Sequence, residues 1–181
     1  MVTVSTNAKL FSAGYDKKEI MNPEISAHMS YGMHKLFGRI LTMNLPTVCV
    51  TQGHVIGPPV FLALCHDYIV AVETAGAFWK LPEFEVGLPI SRGLGDILRH
   101  TLRPAAYREF IWGENLPESK MLSLDVITHL CHSHLEVQQF LTERLTFHKS
   151  QVKMYRNLIK DTKQNIFKDL YAELKSSTIS P

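Results

Sequence analysis

The stretch Pro46–Ala71, PTVCVTQGHVIGPPVFLALCHDYIVA, decides the architecture. Thr47 to Thr51, with Val48, Cys49 and Val50 in its middle, is a short apolar run of strand length. Gly57-Pro58-Pro59 is a turn that can open a helix, since the missing proline N–H costs nothing at the first helical position. That helix runs through Leu62, Ala63 and Leu64, and Tyr68 to Val72 is a second buried strand. Strand, turn, helix and strand in close succession predict an α/β core with parallel pairing.

Upstream, Lys9 to Ser12 reads as the end of a strand running into Ala13-Gly14. Asn22 before Pro23 is a helix start: a capping side chain, then a residue pre-set for the first turn. From there Ile25, Met29, Met33, Leu36, Phe37, Ile40 and Leu41 recur at helical spacing, and Pro46 ends the helix. Downstream, Ala77 to Lys80 is a short strand broken by Leu81-Pro82-Glu83, and Gly87-Leu88-Pro89 is another turn. After Gly95 the pattern predicts helices over Asp96 to Leu102 and Pro104 to Trp112, and a short one beginning near Pro117. Asp125 to Leu130 reads as a last strand, and Leu135 to His148 and Gln151 to Leu174 as two helices. There is no internal repeat and no low-complexity tract.

Composition narrows the class. At 181 residues the chain is one domain's worth, and 45% hydrophobic with 20% charged residues is ordinary for a globular protein rather than a disordered one. The longest unbroken apolar run, Val60 to Cys65, is far short of a membrane span. A net charge of +2 gives no strong field to draw nucleic acid or anionic lipid. Three cysteines (Cys49, Cys65, Cys131) in no recognisable spacing exclude a disulfide scaffold and suit a reducing compartment. The opening residues MVTVSTNAKLF lack a signal peptide's charged and long apolar regions and a transit peptide's arginines; the last residues are ISP, not a peroxisomal SKL.

Three stretches together resemble the crotonase (enoyl-CoA hydratase/isomerase) superfamily: FSAGYD (Phe11 to Asp16), the Pro46–Ala71 stretch, and LPEFEVGLP (Leu81 to Pro89) followed by a helical region. LALCHDYIV with PEFEVGLP is most similar to the enoyl-CoA Δ-isomerases of plants and protists within it. The resemblance covers Lys9 to about Ile127. It implies a ββα spiral lacking its first turn, because the family's opening strands have no counterpart before Met1. It also implies C-terminal helices for oligomerisation, hence a truncated core over 1–130 and an oligomerisation region over 131–181.

The implied chemistry is stabilisation of an enolate on the thioester carbonyl of an acyl-CoA, with two backbone N–H donors on that oxygen and carboxylates moving protons. Carried across, the first donor is the N–H of Tyr15, and Glu83 is the acid/base. Ala13, Gly14, Gly57 and Phe61 fall at substrate-binding positions. The second donor falls at Pro58, which has no N–H; losing one such donor costs about 3 kcal/mol, roughly a hundredfold or more in rate. Pro59 is equally mute, leaving only Gly57 or Val60 as substitutes. The second hydratase carboxylate falls at Phe61, so only a single-glutamate proton shuttle remains. The resemblance thus implies a catalytically degenerate subunit with a structural role in a larger assembly, or an active Δ3,Δ2-enoyl-CoA isomerase of fatty-acid β-oxidation using Glu83. No cofactor is required, the substrate being a coenzyme A thioester. The implied partners are related crotonase-like chains, in homo- or hetero-oligomers. The expected location is mitochondrial, with peroxisome and cytosol as the other compartments.

Other candidates carry plainer readings. Glu85 would share a strand face with Glu83 and is its rival. His129, Cys131, His132 and His134 are ligand-type residues, but four crowded into six positions rarely close a tetrahedron, so a polar loop and no metal is the expectation. His54 and His66 flank the turn as structural histidines. Ser12 and Ser91 have no histidine at a known spacing, which leaves acyl-enzyme chemistry unsupported. Gly93-Leu94-Gly95 is no dinucleotide fingerprint. Lys149 to Lys175 carries seven Lys or Arg against three acids, with Tyr155, Leu158, Ile159, Ile166, Leu170 and Leu174 as an apolar stripe. That is a solvated basic face over a subunit interface rather than a nucleic-acid surface, with Leu158 and Leu170, or their neighbours on the stripe, expected to be buried against another chain or a folded-back partner element.

Overall fold

The computed structural model describes residues 1–176, so the terminal Ile179-Ser180-Pro181 lies outside the described residues. In chain order the elements are β1 (Val2–Val4), β2 (Leu10–Ser12), α1 (Lys17–Ile20), α2 (Pro23–Leu41), β3 (Val48–Gln52), β4 (His54–Ile56), α3 (Pro58–Leu64) and β5 (Tyr68–Val72). There follow β6 (Phe78–Lys80), α4 (Arg92–Thr101), α5 (Pro104–Ile111), β7 (Leu116–Pro117), α6 (Glu118–Ser123), β8 (His129–Cys131), α7 (His134–Ile166) and α8 (Lys168–Ser176).

From β1 to β6 successive strands go alternately to two sheets, ordered β1-β3-β5-β8 and β2-β4-β6-β7; β7 then joins β6 in the second sheet and β8 closes the first. Every pairing is parallel except β6 with β7. Through β6 the chain is therefore an α/β spiral in which each turn lays one strand on each sheet. Gly53 makes the corner between β3 and β4 at φ +74°; a Cβ there would fall 2.1 Å from the Lys9 carbonyl carbon, so only glycine fits.

The central strands β3 and β5 of the first sheet are buried on both faces, and their period-2 alternation shows how. Cys49, Ile69 and Ala71 point into the main core with α2, α3, α4 and α8, while Val48, Val50, Val70 and Val72 pack beneath Val137 and Phe140 of α7. Asp67 ties the ends of that layer together by accepting from Thr47 N–H (2.8 Å) and from Lys163 Nζ (2.7 Å).

Several expectations shift. Val2–Val4 forms a strand the sequence reading passed over; three residues are too few for periodicity to register. It is pinned in register with β3 by Val48 N–H on Met1 O (2.9 Å) and by the Met1 ammonium on Pro46 O (2.8 Å). Helix α4 starts at Arg92 rather than Asp96, because Ser91 caps it through Leu94 N–H. The last strand is His129–Cys131, not Asp125 to Leu130. Val126 and Ile127 donate instead to Met121 O, closing α6 through Asp125 at φ +56°. The helices expected over Leu135 to His148 and Gln151 to Leu174 break elsewhere, at a kink at Tyr155 and at Phe167. No Gly or Pro marks either break.

The second break turns α8 back onto α2 and α4. Leu170 and Leu174 are buried inside this chain, whereas Tyr155, Leu158 and Ile166 stay exposed. The stripe is thus divided between the core and the surface. Leu170 is 0% exposed and Leu158 60%. Leu170→Ala should cost about 2–5 kcal/mol in chemical denaturation, and Leu158→Ala should stay within about 0.5 kcal/mol.

Candidate active site

The turn before α3 is where the predicted positions meet. Gly57 N–H donates to Lys80 O at the end of β6 (2.8 Å), and Val60 N–H donates back to Gly57 O (2.9 Å). Pro58 and Pro59, the first two residues of α3, have no N–H to offer. Every backbone donor from Gly57 to Val60 is therefore either absent or already engaged with a carbonyl, including the two substitutes the sequence left open.

The FSAGYD loop abuts this turn. Gly14 sits at φ +83°, and a Cβ on it would lie 2.8 Å from Pro58 Cδ, so the glycine is needed for both its conformation and the close approach. The loop is pinned at each end: Ser12 Oγ accepts from Gly14 N–H (3.2 Å), and Asp16 Oδ1 accepts from Lys18 N–H (2.7 Å). Between them the Tyr15 hydroxyl donates to Met33 Sδ on α2 (3.0 Å). Burial pushes that phenol up to about 12, so it holds its proton at neutral pH. Ala13 is exposed beside it.

Glu83 approaches from the other side. Its turn is closed by Leu88 N–H on Glu83 O (2.9 Å) and Val86 N–H on Pro82 O (3.1 Å). The carboxylate Oε1 lies 3.9 Å from where a Gly57 Cβ would stand, and Oε2 is buried with no hydrogen-bond partner among the described residues. Desolvation raises the carboxyl's pKa above the ordinary range, opposed by a hydrogen bond from its own backbone N–H. Beside it lies a cavity of about 220 Å³ walled by Leu81, Phe84, Leu88, Pro89, Ile90 and Phe110. Glu85, the rival, is half-exposed and paired with Lys80 (2.8 Å) on the wet side.

The geometry therefore gathers Gly14, Gly57, Pro58 and Glu83 around one point, with the Tyr15 loop at its edge. Phe61 is fully buried in the main core. A dry carboxyl beside an apolar cavity can hold and move a proton; the turn beside it supplies no anion-stabilising amide.

The remaining candidates scatter. His132 Nδ1 is 2.7 Å from Glu73, His134 Nε2 is 3.1 Å from Gln52, His129 stacks on Phe140, and Cys131 lies in the second core. Among the described residues no three potential metal ligands converge. His66 bridges Leu62 O and Thr3 Oγ1 (2.8 Å each), and the His54 ring lies tilted against Phe78. A larger cavity of about 650 Å³ lies under α7 and shares no residue with the one at Glu83. One sequence reading is corrected: Ser91 does have a histidine, His34, its Nε2 3.3 Å from Ser91 Oγ. Fifty-seven residues of separation, bridged through α8, which packs on both α2 and α4, kept it from view.

A family model described as enoyl-CoA hydratase/isomerase matches residues 1–173. The chain is 25% identical over 139 residues to the 2,3-dehydroadipyl-CoA hydratase of Escherichia coli (strain K12), covering 76% of this chain and 54% of that protein. It is 26% identical over 111 residues to the peroxisomal enoyl-CoA delta isomerase 1 of Arabidopsis thaliana, covering 60% and 46% respectively. The chain spans about half the length of these curated relatives. Among solved structures, an enoyl-CoA hydratase/isomerase family protein from Pseudomonas syringae superposes with TM-score 0.81 at 22% identity, covering 97% of this chain and 75% of that one. Human mitochondrial delta3-delta2-enoyl-CoA isomerase superposes with TM-score 0.79 at 21% identity, covering 96% and 67%.

A carboxyl whose folded pKa is raised stabilises the fold below its unfolded pKa, and that contribution is lost as pH rises through the folded value. Glu83→Gln should therefore melt above the parent at neutral pH, and the difference should shrink as pH falls into the ordinary carboxylate range. Melting curves at pH 7 and pH 4 measure it.

Proposed function

The chain belongs to the enoyl-CoA hydratase/isomerase family, and from that footing we propose that it is a crotonase-like subunit whose own enolate chemistry has decayed and whose role is structural, within a larger mitochondrial assembly. The observation that carries this reading is the α3 turn: Pro58 and Pro59 have no N–H, and Gly57 and Val60 spend theirs on Lys80 O and Gly57 O. An enolate formed here keeps at most the Tyr15 N–H. Phe61, buried where a hydratase would carry its second carboxylate, removes water addition as well.

The structural role draws on what α7 leaves uncovered. Leu135, Met154, Tyr155, Leu158 and Ile166 are exposed large apolar side chains along it, and such residues favour contact with another chain. The proposed partners are related crotonase-like chains, with the 131–181 region as the oligomerisation surface over a 1–130 core. Three buried free cysteines fit a reducing interior. No helix of the described residues is long and apolar enough to cross a membrane.

A second reading has its own support. Glu83 keeps a desolvated carboxyl beside an apolar cavity of about 220 Å³. In a Δ3,Δ2-enoyl-CoA isomerase it would take a proton from C2 of the acyl group and return it to C4, with the thioester oxygen on Tyr15 N–H and no further cofactor.

Isomerisation of a 3-enoyl-CoA decides between them. The parent protein should turn over no faster than Glu83→Gln. Pro58→Gly restores an N–H at the first position of α3 and should raise the rate by about a hundredfold or more where Glu83 is present. Parent turnover of roughly 1–1,000 per second that disappears in Glu83→Gln overturns the degenerate reading and establishes the isomerase.

A further inference from the structure

Ser91 and His34 stand as a nucleophile and its base, and we propose that this pair hydrolyses acyl esters and thioesters through an acyl-serine intermediate, with Glu83 taking no part in the bond changes.

Ser91 is exposed at the N-cap of the ten-residue helix α4, where its Oγ accepts from Leu94 N–H (3.5 Å). Capping accounts for that bond alone. It does not account for the imidazole behind the hydroxyl, with Nε2 at 3.3 Å. His34 comes from α2, is 5% exposed, and has Nδ1 buried with no hydrogen-bond partner among the described residues. With the proton on Nδ1, the Nε2 lone pair accepts from the Ser91 hydroxyl, which is the arrangement a general base requires.

The surroundings suit that task. Burial lowers the His34 pKa, keeping the ring neutral and able to take a proton, while the negative charge of Glu173 on α8 acts in the opposite direction. Glu173 is itself held near Arg92, with Nε to Oε2 at 3.7 Å. Gly93 keeps the space open: a Cβ there would lie 3.1 Å from Leu174 Cδ2 and 3.5 Å from His34 Nε2. The first-turn N–H groups of Arg92 and Gly93 have no acceptor within the helix, and they carry the positive end of its dipole beside Oγ. They are the donors available to an oxyanion, which the α3 turn lacks. Pro89 and Ile90, directly before Ser91, wall the same cavity of about 220 Å³ that Glu83 borders, which gives an acyl chain a seat.

The chemistry balances with water as the only co-reactant. The Ser91 oxygen bonds to the acyl carbonyl carbon as its proton passes to His34 Nε2, giving a tetrahedral oxyanion. That collapses with cleavage of the carbon–sulfur or carbon–oxygen bond, and the imidazolium protonates the departing thiolate or alkoxide. Water then attacks the acyl-serine, His34 taking its proton and returning it to Ser91. The products are a carboxylic acid and a thiol or alcohol.

The full chain incubated with a fluorophosphonate probe tests this, with the adduct located by mass spectrometry and p-nitrophenyl hexanoate hydrolysis followed in parallel. Expected are one adduct on Ser91 and p-nitrophenol release, both lost in Ser91→Asn, which retains a helix cap. His34→Gln should slow labelling about a hundredfold or more with the circular dichroism unchanged. Should that buried substitution unfold the chain, Glu173→Gln decides instead: loss of its negative charge should move the pH midpoint of the labelling rate downward. A folded parent with no adduct on Ser91 overturns the proposal. So does labelling that proceeds undiminished in folded His34→Gln, or an unmoved pH profile in Glu173→Gln. Labelling of Ser91 does not involve Glu83, so this result and the isomerisation assay succeed or fail independently.

Discussion

The turn Gly57-Pro58-Pro59 joins the second sheet, the FSAGYD loop and the Glu83 turn. Its Gly57 amide is tied to the last residue of β6, its Pro58 ring rests against Gly14, and its Gly57 Cα faces the Glu83 carboxylate. Two consecutive prolines pre-set φ for the first turn of α3, so the helix starts without a side-chain cap. The same rings strip the helix start of the amides that would otherwise meet an anion. A local solution for starting a helix is thus, on the proposed reading, also a chemical loss.

That loss stands beside a carboxyl that is still dry. Glu83 Oε2 is buried without a partner among the described residues, and its cavity is walled by apolar side chains. A desolvated carboxyl costs stability at neutral pH, and ordinary packing gives no reason to keep one. On the proposed reading the site retains its proton carrier and has lost the stabilisation of the enolate. On this account the family's chemistry fails at the oxyanion rather than at the proton.

Much of this was legible in the sequence because local signals agreed with the fold. Asn22-Pro23 started α2, and Tyr68 to Val72 gave a central strand. The proline turn before α3 and the apposition of Gly14, Gly57 and Glu83 were reachable through the motifs and their order. What stayed hidden depended on long-range packing. Val2–Val4 is a strand only because Met1 and Val48 exchange contacts with it. Leu170 is core only because the chain turns at Phe167, where no glycine or proline announces a break. His34 meets Ser91 only because α8 packs on both α2 and α4. That two serines lacked a histidine at a known spacing was a statement about sequence, and packing overrode it.

The central claim is that a thioester carbonyl seated beside Glu83 meets at most one backbone donor. Infrared difference spectroscopy with a 3-enoyl-CoA carrying a ¹³C-labelled thioester carbonyl reads this directly, because hydrogen bonds to the oxygen lower the stretching frequency. The account predicts a small downshift on binding to the parent protein and a clearly larger one on binding to Pro58→Gly. A large downshift in the parent, unchanged by Pro58→Gly, would show a second donor in place and contradict the account.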